Sequence, residues 1–304
     1  MNNRPSRRSA LAAALALPFL VAACSSGSPS AAPPSQPTPA LPSPTPGPAG
    51  FVIRASWTQA LPPRALFGNL PILVVTADGR VLAQGAVTMI YPGPLVLPVM
   101  QRPISPVGVA AILQAAMDAG ILGPNTDFTG GALPPGAAAA RLQIVVDGVT
   151  YDLVGDASAA VPCLPTQACP EADPGTPAAF AQLWNRLLDL AGWLGPELGA
   201  EQLYAPASYA VIVGPPPEPW AGATPIVWPV IDPALGAFGA PVRGEPGTRC
   251  GIADGDLAVA LRRTLGTATQ LTPFVANSSA SATHGLTVRP LLPGDEDPCA
   301  PMVE

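Results

Sequence analysis

The chain has 304 residues, 43 of them proline, and carries fourteen arginines, no lysine and twenty acidic residues. The absence of lysine excludes a P-loop lysine, a Schiff-base lysine and a Ser-x-x-Lys nucleophile. The net charge of −6 and the scattered arginines argue against nucleic-acid binding, because phosphate contacts need a clustered basic surface.

The first 23 residues have the three parts of a secretory signal peptide. Arg4, Arg7 and Arg8 form a positive start, and residues 10–23 form an uncharged and almost wholly apolar stretch. This stretch is too short for a transmembrane helix, which needs about 20 residues to cross the hydrocarbon layer. The pattern therefore predicts export rather than a membrane span.

The apolar stretch ends in Val21-Ala22-Ala23-Cys24. This sequence resembles the lipobox of bacterial lipoproteins, in which an aliphatic residue and two small residues precede a cysteine. The resemblance implies cleavage before Cys24, a diacylglyceryl group on its thiol, and anchoring to the outer face of a membrane. Ser6-Arg7-Arg8-Ser9 also resembles a twin-arginine export signal, so that route and the general secretory route both stay open.

Residues 24–50 are predicted to form a disordered tether. Nine of the twenty-six residues from 25 to 50 are proline, and most of the others are Ser, Ala, Thr or Gly. Such a composition cannot bury a core and favours extended polyproline II structure. At about 3.1 Å per residue the segment would reach up to roughly 80 Å from the bilayer.

Residues 51–304 form the predicted globular body, with a division suggested between residues 51–195 and 196–304. Capping residues and apolar spacing predict three helices, from Ser105 to Gly120, Thr176 to Gly192 and Asp254 to Gly266. Apolar runs predict strands, and the Asp-Gly turns at 78–79 and 147–148 join two pairs of them. These cover residues 51–57, 72–76, 81–84, 142–146, 149–153, 209–213, 226–231, 271–276 and 286–291.

We therefore expect an α+β fold of mainly antiparallel sheets with about three packed helices. Similar orders of elements in residues 71–154 and 208–291 suggest two similar β-α-β-β modules, although no residue-level repeat supports duplication. The body also resembles exported proteins of unassigned function from high-GC bacteria, a resemblance that implies no activity. The stretches that carry it are Asp78-Gly79-Arg80-Val81, Ile90-Tyr91-Pro92-Gly93-Pro94-Leu95 and Arg289-Pro290-Leu291-Leu292-Pro293.

Four cysteines remain besides Cys24, and an even number in an exported protein predicts two disulfides. Of the three pairings, we favour Cys163–Cys169 and Cys250–Cys299, because the first two cysteines share one proline-rich loop. The cysteine spacings and the single histidine do not fit zinc, so no metal is expected.

Few residues carry catalytic chemistry. His284, the only histidine, follows a polar run, so we expect a solvated loop residue rather than a member of a Ser-His-Asp triad. Asp254 and Asp256 would suit a hydrolase or a calcium site, but their position at a helix start favours capping. Residues 295–297, all acidic, suggest a solvated turn more than a calcium site. We predict no catalytic residue and no cofactor.

The run Pro215-Pro216-Pro217-Glu218-Pro219-Trp220 predicts a stiff, extended segment, which together with Trp228 would present a recognition surface. The alternative is that both tryptophans pack into the core. The sequence as a whole suggests a lipid-anchored extracytoplasmic binding or interaction module, with a carboxylate-dependent hydrolase at the cell envelope as the alternative. Its expected partners are the membrane, through the lipid, and an envelope protein or ligand; the ligand and the oligomeric state stay open.

Overall fold

The described part of the chain has an α+β fold with mainly antiparallel strands, which confirms the predicted fold class. The computed structural model describes residues 50–131, 137–159, 171–216, 224–230, 232–277 and 282–303. Its helices are α1 (Pro63–Leu66), α2 (Pro106–Asp118), α3 (Pro177–Leu188), α4 (Leu190–Leu194) and α5 (Gly255–Leu265). Its strands are β1 (Phe51–Thr58), β2 (Leu73–Thr76), β3 (Arg80–Gln84), β4 (Val99–Pro103), β5 (Asp127–Phe128), β6 (Ala139–Val146), β7 (Val149–Gly155), β8 (Gln202–Leu203), β9 (Tyr209–Gly214), β10 (Ile226–Val227), β11 (Ala240–Pro241), β12 (Arg249–Ala253), β13 (Phe274–Val275) and β14 (Thr283–Pro290).

The first sheet has eight strands in the order β5-β7-β6-β1-β2-β3-β4-β8. Strand β1 lies near its centre and pairs antiparallel with β2 on one side and β6 on the other. Because side chains alternate along a strand, the two faces of the sheet carry different sets of side chains. Ile53 and Leu142 face a core that also holds Ile112 of α2 and Trp184 of α3, so these helices cover one face.

The second sheet has six strands in the order β10-β13-β14-β9-β12-β11. Its central strand β9 is buried at every position and pairs antiparallel with β12 and β14. Val211 of β9 shares a core with Leu261 of α5 and Phe274 of β13. Each sheet has a helix between two of its strands, but α2 connects β4 to the edge strand β5, whereas α5 connects β12, beside the centre, to β13. Duplication of one module therefore stays a hypothesis.

The predicted helix starts are confirmed at two of the three positions by a side-chain cap. Ser105 accepts a hydrogen bond from the Gly108 N–H, and Thr176 accepts one from the Ala179 N–H. The second helix was predicted to run unbroken to Gly192, which is wrong. Asp189 leaves the helical conformation, and its carboxylate accepts from the Gly192 N–H, which begins the separate helix α4.

The segment after β14 covers part of the other face of the first sheet. Leu292 packs in a small core with Phe51, Val74 and Val145. A disulfide joins Cys250 of β12 to Cys299 and so fixes the end of this segment to the second sheet. Among the described residues, no helix has the length and apolar character needed to cross a membrane.

Candidate functional site: a polar cleft on the first sheet

A cleft of about 1060 Å³ lies on the face of the first sheet that the helices leave uncovered. Strands β1 and β6 supply its floor, with Arg54 opposite Gln143 and Ser56 opposite Arg141 in the strand register. Helix α1 and residues 294–301 contribute to its walls. Regular pairing of two interior strands thus places four polar side chains side by side at the base of an open cleft.

Two arginines share one buried carboxylate at this cleft. Arg54 Nη2 lies 2.5 Å from Asp295 Oδ1, and Arg289 Nη2 lies 2.9 Å from the same oxygen. The side chains of Arg54, Arg289 and Asp295 are 13 %, 10 % and 1 % exposed. This cluster joins β1, β14 and the segment after β14, because its members are far apart in the sequence.

Local geometry holds Asp295 in this position. The Leu292 N–H donates to Asp295 Oδ2 over 2.8 Å, which closes a turn around the carboxylate. Gly294 in that turn has φ of +81°, and a Cβ there would lie 2.4 Å from Phe51 Cδ1. Glycine is therefore required, both for its positive φ and for the close approach to Phe51.

A third arginine of the cleft, Arg141, belongs to a separate ion pair. Arg141 Nε and Nη2 donate to the two carboxylate oxygens of Asp152 over 2.8 and 2.5 Å. This bidentate contact lowers the pKa of Asp152 and raises that of Arg141, mainly through the hydrogen bonds themselves. The pair keeps the guanidinium of Arg141 oriented along the sheet.

A smaller cavity of about 210 Å³ adjoins the cleft. Its lining shares five residues with that of the cleft, namely Arg54, Ser56, Leu66, Arg141 and Arg289. The acidic residues of the cleft, Asp295, Glu296 and Asp297, do not line the smaller cavity. The three arginines therefore lie where the cleft meets the smaller cavity. The lining of the cleft has charges of both signs, whereas the charged residues that line the cavity are all positive.

Several predicted site residues lie outside the described part of the chain: Cys24, Cys163, Cys169 and Trp220. The predicted Cys250–Cys299 disulfide is confirmed. Trp228 is 2 % exposed, donates from Nε1 to the Pro233 carbonyl over 3.1 Å and contacts Phe238 edge to face. Its indole thus lies in the core of the second sheet, which favours the core alternative over recognition for this residue.

Two expectations about polar residues are wrong. His284 is not in a solvated loop: it is half-buried in β14, which begins earlier than predicted, and pairs with Phe274. Asp295 is not part of a solvated turn, because two arginines and a backbone N–H hold its carboxylate in the interior. Asp254 lies at the start of α5 and is exposed, as is Asp256, but its side chain makes no capping hydrogen bond.

The arginines of the cleft were missed in the sequence, although a signal for them exists. Arg54, Arg141 and Arg289 each interrupt an apolar run that was predicted to be, or to adjoin, a strand. A charged residue at such a place points away from the core on a half-covered sheet. What the local pattern does not give is the partner, since Arg54 and Asp295 are 241 positions apart.

A second surface is apolar. Met89, Ile90 and Tyr91 are 100 %, 69 % and 68 % exposed, beside a groove of about 510 Å³ between residues 86–99, residues 203–209 and α5. Tyr204 lines this groove, and burial raises the pKa of its phenol above the usual 10.0. Nothing in the described residues indicates what covers this surface.

No protein-family model, no curated protein and no solved structure matches the chain. The residues of the cleft are therefore the basis for a functional assignment.

Proposed function

We propose that this protein is a lipid-anchored, extracytoplasmic binding module whose ligand occupies the polar cleft of the first sheet. The lipobox-like sequence that ends in Cys24 supports the anchor, and the proline-rich segment after it supports a tether between lipid and body. The four cysteines that follow, two of which form a disulfide, suit a compartment outside the cytoplasm.

The observation that carries the binding role is the set of preorganised arginines in an open cleft. Arg54, Arg141 and Arg289 are each held by a carboxylate, so they lose little further conformational freedom when a ligand binds. The volume of the cleft, about 1060 Å³, suffices for a ligand of the size of a short oligomer or peptide.

We favour binding over carboxylate-dependent hydrolysis for two reasons. Asp254 and Asp256 are exposed at the first turn of α5, where a carboxylate has an ordinary electrostatic role. Asp295, the carboxylate of the cleft with the deepest burial, forms ion pairs with both Arg54 and Arg289, so its charge already has two partners.

The proposal predicts that filling the cleft abolishes capture of a ligand. The substitution Gln143→Trp adds a bulky ring to the cleft floor without removing an arginine. Immobilised protein from residue 41 onward would be exposed to an envelope extract, and the bound molecules would be identified by mass spectrometry. We expect the unsubstituted body to enrich at least one molecule that Gln143→Trp does not.

The matched control is Gln114→Trp, which makes the same exchange at a partly exposed position of α2 outside the cleft lining. It should capture the molecule as well as the unsubstituted body does. Equal capture by Gln143→Trp, with its circular dichroism unchanged, would contradict binding in the cleft. Enrichment of nothing by the unsubstituted body would contradict the binding role itself.

A further inference from the structure

The small cavity beside the cleft has an unusual charge for this protein. Its lining contains Arg54, Arg141 and Arg289 and no acidic residue, although the chain as a whole has a net charge of −6. The hydroxyl of Ser56 and the side chain of Asn69 belong to the same lining. Positive groups and neutral hydrogen-bonding groups are thus collected in one small space.

The buried charges behind this cavity do not balance. Arg54 and Arg289 contribute two positive charges, and Asp295, the one carboxylate they share, contributes a single negative charge. Arg141 is neutralised by Asp152 and also interacts with the charge of Glu296; Glu296 and Asp297 are exposed and line only the larger cleft. An excess positive charge among side chains that are 13 % and 10 % exposed is costly unless an anion compensates it.

Hydrogen-bond donors of the cluster also lack acceptors. Arg289 is 9 % exposed; its Nη1 donates to the Phe67 carbonyl over 3.4 Å, but its Nε has no hydrogen-bond partner among the described residues. Arg54 makes one short contact, to Asp295, and one long contact of 3.5 Å, to the Pro293 carbonyl. Each guanidinium has five N–H groups, so a further acceptor can be accommodated.

We propose that the small cavity is an oxyanion subsite, which binds a carboxylate or phosphate group of a soluble ligand through Arg54, Arg289 and the hydroxyl of Ser56. A planar guanidinium matches such groups by paired hydrogen bonds. The inference deepens the proposed function and rests on it: the anionic group lies at the arginine junction, and the rest of the ligand extends into the mixed-charge cleft.

The test uses inorganic phosphate and acetate as probes, in titration calorimetry on residues 41–304. This segment is suitable because the described residues all belong to one compact unit, Leu41–Glu304. We expect saturable binding of at least one probe at millimolar concentration. The substitution Ser56→Asp places a carboxylate in the cavity, and it should lower the affinity for that probe by about tenfold or more.

Ser56→Asp should also raise the melting temperature in the absence of the probe, because its own carboxylate then compensates the excess charge. The matched control is Thr267→Asp, which makes the same change in charge at an exposed position just after α5, outside the linings of the cavity and the cleft, and should leave the affinity unchanged. Asn69→Asp, at an exposed position of the cavity lining, is a second variant that should lose affinity even if Ser56→Asp fails to fold.

Absence of saturable binding of both probes, or equal affinity in the unsubstituted body and in the cavity variants, would overturn the oxyanion subsite. If an envelope molecule is still captured by the unsubstituted body and lost in Gln143→Trp, the binding role stands without this subsite. If a probe binds but no envelope molecule is captured, the subsite stands and the proposed role falls.

Discussion

Replacing Asp295 with asparagine is expected to lower the free energy of unfolding by about 3 kcal/mol. The carboxylate is 1 % exposed and is the shared partner of Arg54 and Arg289. Its loss leaves two buried guanidinium groups without a counter-charge, and the asparagine oxygen restores only part of the hydrogen bonding. Urea unfolding followed by circular dichroism measures the difference between the variant and the unsubstituted body.

Glu296→Gln provides the matched control, since it removes the same charge from the neighbouring, exposed residue. We expect a change in stability within about 0.5 kcal/mol for this variant, as is usual for surface substitutions. If Asp295→Asn were as stable as Glu296→Gln, the buried cluster would not exist in solution. The cleft would then lack the carboxylate that holds Arg54 and Arg289 in place.

Removing the disulfide between Cys250 and Cys299 is expected to cost about 4 kcal/mol of stability. The two cysteines are 49 positions apart, and the bond limits the conformations of the unfolded chain over that loop. Both are almost fully buried beside Ala210 and Ile212 of β9, so the double variant Cys250→Ala with Cys299→Ala also leaves a small void. The denaturant midpoint of this variant should fall accordingly.

The comparison variant carries alanine at Cys163 and Cys169. If these two are paired, as the sequence suggests, their short loop predicts a smaller loss, about 2.4 kcal/mol. We therefore expect the Cys250/Cys299 variant to lose more stability than the Cys163/Cys169 variant. A Cys250/Cys299 variant as stable as the unsubstituted body would show that the bond does not restrain the segment after β14.

Local features of the fold could be predicted because the sequence itself specifies them. Asp147 and Gly148 both have positive φ, 49° and 78°, and form the expected tight turn between β6 and β7. Ser105 and Thr176 begin helices because their hydroxyls accept from backbone N–H groups three residues on. Each of these signals depends on residues only a few positions apart, so the local sequence pattern is sufficient to predict the structure there.

Other features depend on distant partners and could not be read in the same way. Strand β4 has few apolar residues and exists because it pairs with β3 over its whole length. His284 lies in a strand because β13 and β9 extend the ladder of β14 beyond its apolar part. The cleft itself depends on contacts between β1, β14 and residues 294–301, so its arginines could be noticed in the sequence but not assembled.

We propose that this chain works as a binding module at the outer face of a membrane, held there by an acyl chain on Cys24. The most direct measurement is metabolic labelling with a fatty acid, followed by fractionation, for the unsubstituted protein and for Cys24→Ser. We expect the unsubstituted protein to carry the label and to be found in the membrane fraction. The Cys24→Ser variant should be unlabelled and released from the membrane. An unlabelled unsubstituted protein, or a Cys24→Ser variant that stays with the membrane, would contradict the account.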